Sequence, residues 1–227
     1  MKTIKSEVFN MDCIEGMKQY PDKYFELAIV DPPYGINADK AQNKAAESRI
    51  KAQGKSKAGR GWKQYKQTEW DNDIPNEIYW NQLFRVSKNQ IVWGGNYMTE
   101  FLKPSMGWIF WDKGQRDFSL ADGELAWSSF DKAIRVFDMS RGEALAKNNE
   151  EVGRFHPTQK PIDLYKWLLQ NYANQGDKIL DTHLGSGSSR IAAYDMDFEF
   201  TGFELYKDYF EASEKRFQQH IQQLTLF

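Results

Sequence analysis

Residues Glu26 to Val30 (Glu-Leu-Ala-Ile-Val) form an apolar, β-branched run that stops abruptly at Asp31-Pro32-Pro33-Tyr34-Gly35. After its first residue the run has no polar face, so it fits a strand covered on both sides, as in a parallel sheet flanked by helices. Two successive prolines lack the N–H that a ladder requires and end the strand, which places Asp31 at its C-terminal edge. The same punctuation recurs. Ser6 to Asp12, Lys178 to Asp181 and Phe198 to Glu204 are short strand-like stretches that each close on an acid. Between them lie helical patterns: Cys13 to Tyr20, Ile78 with Leu83 and Phe84, Ile162 with Tyr165, Leu169 and Tyr172, Arg190 to Tyr194, and Asp208 to Gln222. Further strands are expected at 90–93, 107–111 and 124–128. Strands alternating with helices imply an α/β fold with a mainly parallel sheet.

At 227 residues and 41 % apolar content, the chain can build a core of its own, with room for one domain and a substantial insertion. No apolar run reaches the roughly 20 residues of a membrane span, and the N-terminus lacks a secretory apolar stretch. Cys13 is the single cysteine, and the three histidines are scattered at 156, 183 and 220, so neither a disulfide nor a metal site is expected. A reducing, cytoplasmic setting follows as the default.

Charge is uneven. From Asp39 to Lys66, nine basic residues face two acidic ones in a segment poor in large apolar side chains before Trp62. The whole chain is at −2, so this excess of seven positive charges sits on an acidic remainder. Residues 37–69 read as a basic loop insertion, either a solvated surface or a contact for a polyanion.

Two stretches carry chemistry. In Asp181-Thr182-His183-Leu184-Gly185-Ser186-Gly187-Ser188, a strand runs into a glycine-containing turn and then a helix. That geometry brings backbone N–H groups and a helix N-terminus up to a ligand. Glu204, 23 residues after Asp181, ends the next strand, where a carboxylate can accept hydrogen bonds from ribose hydroxyls. The Gly-Lys-Ser/Thr ending of a P-loop is missing, and close packing alone also accounts for such glycines. In the second stretch, the Asp31 carboxylate and the Pro32 carbonyl are two acceptors able to hold both hydrogens of an exocyclic amine. Tyr34 offers a flat face for a base.

Asp-Pro-Pro-Tyr, the Gly-x-Gly turn and His156-Pro157-Thr158-Gln159-Lys160-Pro161 together resemble the amino-directed DNA methyltransferases, which methylate adenine N6 or cytosine N4. Asp12, Trp93-Gly94-Gly95-Asn96-Tyr97, Trp111-Asp112-Lys113 and Glu124-Leu125-Ala126-Trp127 are similar to the family too, so the resemblance covers nearly the whole chain. The catalytic motif precedes the cofactor motif, as in the β class, a circular permutation of the usual order. The implied fold is the Rossmann-like one of S-adenosylmethionine-dependent methyltransferases: one domain over residues 1–227, a mainly parallel sheet with an antiparallel edge element, and a small DNA-contact region at about 131–155. The strand ending near Asp12 should neighbour the strand ending at Glu204.

The resemblance implies S-adenosylmethionine as cofactor and double-stranded DNA with a flipped target base as partner; a homodimer is allowed. Catalysis falls to Asp31, Pro32, Pro33 and Tyr34. Cofactor binding falls to Asp12, Cys13, Asp31, Thr158, Lys160, Asp181, Gly185, Ser186, Gly187 and Glu204, with Thr158 and Lys160 toward the methionine end. DNA contact falls to Lys51, Lys55, Lys57, Arg60 and Trp62. An Asp-first tetrapeptide leans toward adenine, because cytosine-N4 members more often begin with Ser. Cytosine-N4 methylation, RNA or protein N-methylation, and a turnover-free binding protein stand as alternatives. The sequence departs from the family's usual Asp-Pro-Phe-x-Gly-Ser-Gly-Thr at Thr182, His183 and Ser188, and His183 reads as a replacement of shape for the aromatic ring. Trp93 and Trp127 read as core.

Overall fold

The computed structural model describes residues 4–37, 71–117, 121–151 and 159–224. Eight strands make one sheet: β1 (Ser6–Asn10), β2 (Phe25–Val30), β3 (Ser87–Trp93), β4 (Ile109–Asp112), β5 (Gly123–Ser128), β6 (Arg135–Asp138), β7 (Lys178–Asp181) and β8 (Glu199–Glu204). Their spatial order is β1-β8-β7-β2-β3-β5-β4-β6. The first five run parallel, β5 is antiparallel to both β3 and β4, and β6 pairs parallel with β4. The antiparallel element therefore lies inside the sheet, between β3 and β4, rather than at its edge.

The helices are α1 (Cys13–Met17), α2 (Glu77–Val86), α3 (Arg141–Glu151), α4 (Ile162–Tyr172), α5 (Ser188–Asp195) and α6 (Lys207–Leu224). Successive residues of β2 feed opposite faces, as a strand's period of two requires. Leu27 and Ile29 join a core with residues of α4 and α5, whereas Ala28 and Val30 join a second core with Met17 of α1 and Tyr79, Trp80 and Leu83 of α2. This is the doubly covered sheet that the unbroken apolar run of β2 demands. Trp93 and Trp127 are buried in these two cores.

β1 and β8 pair in register from Ser6↔Phe200 to Asn10↔Glu204, so the first strand neighbours the last, and Asp12 lies just past its end. β2 pairs with β7 through Leu27↔Ile179 and Ala28↔Leu180. From these two neighbours the chain leaves in opposite directions, to β3 through α2 on one face and to β8 through α5 on the other. Such a switch point opens a crevice beyond the strand C-termini, which is where open α/β sheets bind ligands.

Residues 131–151 of the region expected near 131–155 form the edge strand β6 and α3. The polar stretch from Arg141 thus contains a helix, and Arg135–Asp138 a strand, that periodicity did not disclose. Of the insertion at 37–69, only Asn37 is among the described residues, and its N–H donates to the Asp71 carbonyl at 3.0 Å. Lys51, Lys55, Lys57, Arg60, Trp62 and Thr158 lie outside them.

Candidate active site

The C-terminal edge of the sheet opens on a cavity of about 700 Å³, lined at one side by Asp31, Pro32, Pro33 and Tyr34 and at the other by Asp12, Cys13, Gly185, Ser186 and Glu204. The volume lies within the usual range for small-molecule sites.

Asp31 follows the last residue of β2. Its Oδ1 accepts from the Tyr34 hydroxyl at 2.6 Å, and its Oδ2 lies 2.5 Å from Lys160 Nζ. Lys160 precedes α4 and its side chain is only 4 % exposed. Its ammonium also lies 3.3 Å from Glu124 Oε2 and 5.2 Å from the Trp93 ring centre. Burial opposes the charge on Lys160, but Asp31 and Glu124 outweigh it and raise its pKa. Glu124 projects from β5, and its other oxygen pairs with Lys113. Burial works against this carboxylate too, yet Lys160 and Lys113 hold it down to about 2. Two cations and two carboxylates thus alternate along one wall, which is how buried charges become tolerable.

The tetrapeptide is held from outside as well. The Asp71 carboxylate accepts from the Tyr34 and Gly35 N–H groups at 2.6 and 3.0 Å. The Tyr34 ring stacks on Tyr97, centres 5.3 Å apart and planes 16° from parallel. Gly94 makes room behind it: at φ +67°, a Cβ there would meet the Tyr34 ring at 2.2 Å.

At the opposite side the turn after β7 is pinned at several points. Glu204 Oε2 accepts from the Gly185 N–H and Oε1 from the Tyr206 N–H, both at 2.9 Å. Burial raises the Glu204 pKa, and these donors oppose the rise. Arg216, a buried cation from α6, donates to the Ser186 carbonyl at 3.0 Å and to Ser188 Oγ at 2.9 Å. Asp181 sits behind the turn, accepting from Ser189 Oγ at 2.5 Å and the His183 N–H at 3.0 Å; burial pushes its carboxyl up to about 7. His183 lines the cavity, and desolvation pushes its imidazole down to about 4. Its Nδ1 is 2.9 Å from Thr182 Oγ1, which is 2.8 Å from the Tyr79 hydroxyl.

The model for the N6/N4 DNA methylases matches residues 51–215, well over half of the chain. The chain belongs to the amino-directed DNA methyltransferase family. The matched span holds the Asp181–Glu204 half of the cavity and begins downstream of Asp31, so the tetrapeptide stands on its own geometry. The type II methyltransferase M2.MboI of Moraxella bovis is 24 % identical over 93 % of this chain and 87 % of its own length. Among solved structures, M1.HpyAVI in complex with SAM shares the fold with a TM-score of 0.53 at 18 % identity, over 92 % of this chain and 98 % of that one. The PvuII DNA methyltransferase, cytosine-N4-specific, gives 0.59 at 13 % identity, over 95 % and 87 %.

Within this methyltransferase, Asp31, Pro32, Pro33, Tyr34, Asp12, Cys13, Lys160, Gly185, Ser186 and Glu204 share one cavity. Asp12 also caps α1, its Oδ1 accepting from Ile14 and Glu15 N–H at 2.8 and 3.1 Å. Cys13 is a thiol pushed up to about 12 by burial, an inert wall residue. Two expected cofactor residues are off the lining. Asp181 braces the turn from behind, and Gly187, at φ +73°, is the N-cap before α5, where a Cβ would meet Ser213 of α6 at 3.3 Å. Lys160 points its ammonium at Asp31 and Glu124. Glu124, Lys113, Asp71 and Arg216 belong to the site although no individual role for them is expected from the sequence. The resembling stretches Trp111-Asp112-Lys113 and Glu124-Leu125-Ala126-Trp127 already carried the first two. Among the described residues, no group of three or more His, Cys, Asp or Glu is placed to hold a metal ion, and no helix is long and apolar enough to cross a membrane.

Proposed function

We propose that this methyltransferase moves a methyl group from S-adenosylmethionine to the exocyclic N6 amine of adenine in DNA. The observation that carries the reading is the Asp31 carboxylate at the end of β2. It faces the same cavity as Pro32, the Tyr34 ring and the Gly185–Glu204 wall. The donor set of that wall fits S-adenosylmethionine. Each Glu204 oxygen takes one backbone donor and keeps a lone pair for a ribose hydroxyl, while Cys13 and Leu205 supply apolar surface.

When bound, S-adenosylmethionine supplies a methyl group on a sulfonium, an already activated leaving system. The protein's task lies with the amine, whose lone pair is delocalised into the ring. Asp31 and the Pro32 carbonyl accept its two N–H groups and favour a pyramidal nitrogen. They would also stabilise the positive charge that grows there as the new N–C bond forms and the methyl–sulfur bond breaks to leave a neutral thioether, the surplus N–H proton then passing to solvent. Tyr34 stacks on the base, which must leave the duplex to arrive. The basic segment 39–66 contacts phosphates.

The Asp-first tetrapeptide favours adenine. Cytosine N4 is the second reading: its amine presents the same two hydrogens to the same acceptors, and the cytosine-N4-specific PvuII enzyme shares the fold. The test is to incubate unmethylated duplex DNA, RNA and a protein extract in parallel with the enzyme and labelled S-adenosylmethionine, and then to identify which substrate carries the label and, for nucleic acid, which nucleosides are methylated. N6-methyladenine supports the reading, N4-methylcytosine replaces it with the second, and label confined to RNA or protein overturns both.

A further inference from the structure

Glu124 has no role in the chemistry above, yet its carboxylate is built into the catalytic wall. It stands on β5, the one antiparallel strand among the described residues, whose pairing Trp93↔Ala126 brings residue 124 to the C-terminal edge of the sheet. One oxygen pairs with Lys113, and the other lies 3.3 Å from the ammonium that Asp31 holds at 2.5 Å.

Both Asp31 oxygens are engaged, one by Tyr34 and one by Lys160. A carboxylate oxygen can take a second donor. An ammonium this close crowds that position, however, and its charge opposes the positive charge growing on the methylated nitrogen. Lys160 must therefore yield as the amine engages. A buried cation that loses its partner is strongly disfavoured unless a second anion is in reach. We propose that Glu124 is a positioning residue for methyl transfer, taking over the Lys160 ammonium so that Asp31 can turn its acceptors to the target amine. The inference rests on the methyltransferase reading of the site.

Three features fit this handover. Lys113 fixes the far oxygen of Glu124, which aims the near one at Lys160. Trp93, its ring centre 5.2 Å from the ammonium, keeps an aromatic face on the cation. The two carboxylates also keep Lys160 protonated, so it has no lone pair and cannot compete as a nucleophile beside the donor.

The experiment compares wild type, Glu124→Gln, Glu124→Asp, Lys160→Met and the Glu124→Gln/Lys160→Met double variant. Single-turnover methylation of unmethylated duplex DNA is measured beside S-adenosylmethionine affinity by titration calorimetry. Glu124→Gln should lower the rate by about 30-fold or more, less than loss of a group touching the reacting atoms, and change affinity by less than about threefold. Glu124→Asp should restore most of the rate. In the Lys160→Met background, with no ammonium to rehouse, the Gln substitution should cost less than about threefold. A wild-type rate in Glu124→Gln overturns the proposal. So does an equal loss in both backgrounds, or a rate loss matched by weaker cofactor binding. Should Lys160→Met be too slow to read, Glu124→Asp decides: a restored rate supports the handover, and a rate as low as that of Gln overturns it. A wild type that transfers no methyl group removes the underlying reading and the inference with it.

Discussion

Lys160 Nζ lies 2.5 Å from Asp31 Oδ2 across 129 residues of chain, so the motif before α4 and the motif after β2 meet at one ion pair. This contact sets what an Asp31 variant would do. Removing the carboxylate both deletes the acceptor proposed for the amine and leaves a buried cation leaning on Glu124 alone. Asparagine preserves the shape but presents an N–H either to the ammonium or to Tyr34. Asp31→Asn should reduce methyl transfer by at least about 100-fold, the scale of losing a group that stabilises developing charge. S-adenosylmethionine affinity should stay within about threefold if, as proposed, Asp31 serves the amine rather than the cofactor. A tritiated-methyl assay beside calorimetry reads both, and retention of more than about a tenth of wild-type turnover would remove Asp31 from the chemistry.

Strands that end at an acid were legible because their signal is local. The apolar run of β2 and its prolines, or Lys178–Asp181 before the turn, need no neighbour to be recognised. The edge strand β6 gives no such signal, since Val136 is exposed and Phe137 alone is buried. Its strand character comes from pairing with β4, a tertiary effect. The Lys113–Glu124–Lys160–Asp31 wall was illegible for a related reason. Its members lie on four separate stretches of chain, and the antiparallel direction of β5 decides that Glu124 reaches Lys160. Arg216 reads in sequence as one more charge on an amphipathic helix, and its burial under the Ser186 turn shows only in the fold.

Glu204 has a double role that sharpens the effect of removing it. Its carboxylate fixes the Gly185 N–H from below while facing the cavity. Glu204→Ala should weaken S-adenosylmethionine by about 1.5–3 kcal/mol, the range for a hydrogen bond to a charged group. Calorimetry on a variant with an unchanged circular dichroism spectrum checks this, and an unchanged dissociation constant would show that the acid only braces the turn.

Asp181 and His183 are tuned in opposite directions, so their effects on stability oppose. Asp181 is raised to about 7 in the fold, so between about pH 4 and 7 the folded chain keeps a proton that the unfolded chain has lost. Its contribution is complete at low pH and is lost as pH rises through the folded value. His183 is lowered to about 4, so the unfolded chain takes the extra proton. Its contribution is complete above about pH 6.5 and is lost as pH falls. Each slope reaches about 1.4 kcal/mol per pH unit. Relative to wild type, Asp181→Asn should lose stability on acidification from pH 6.5 to 4.5, and His183→Phe should gain it. Urea midpoints at three pH values test the pair, and shifts of the same sign would contradict the assignment.

Gly94→Ala tests whether the placement of Tyr34 matters apart from cofactor binding. The new Cβ would strike the tyrosine ring, and a left-handed backbone costs a non-glycine residue roughly 1–2 kcal/mol. Stability should fall by about that amount, and methylation should fall at least tenfold as the stacking face is displaced. A folded variant with a wild-type rate would show that Tyr34 is not the base platform.

The basic segment supplies the last expectation. If Lys51, Lys55, Lys57 and Arg60 contact phosphates, each releases condensed counterions on binding. Each then adds about 0.9 to the magnitude of the slope of log K against log salt on duplex DNA. Replacing all four with Ala should flatten that slope by up to about 3.6 and weaken every sequence alike, because phosphate contacts carry no base information. S-adenosylmethionine affinity should hold, since Glu204 and the Gly185 turn are built from other parts of the chain. Fluorescence anisotropy of labelled duplexes across a salt series, wild type beside the quadruple variant, gives the two slopes. Parallel lines would make the segment a solvated surface. A loss confined to one DNA sequence would make it a reader of bases, and the target site would then have to be sought among the contacts of those four side chains.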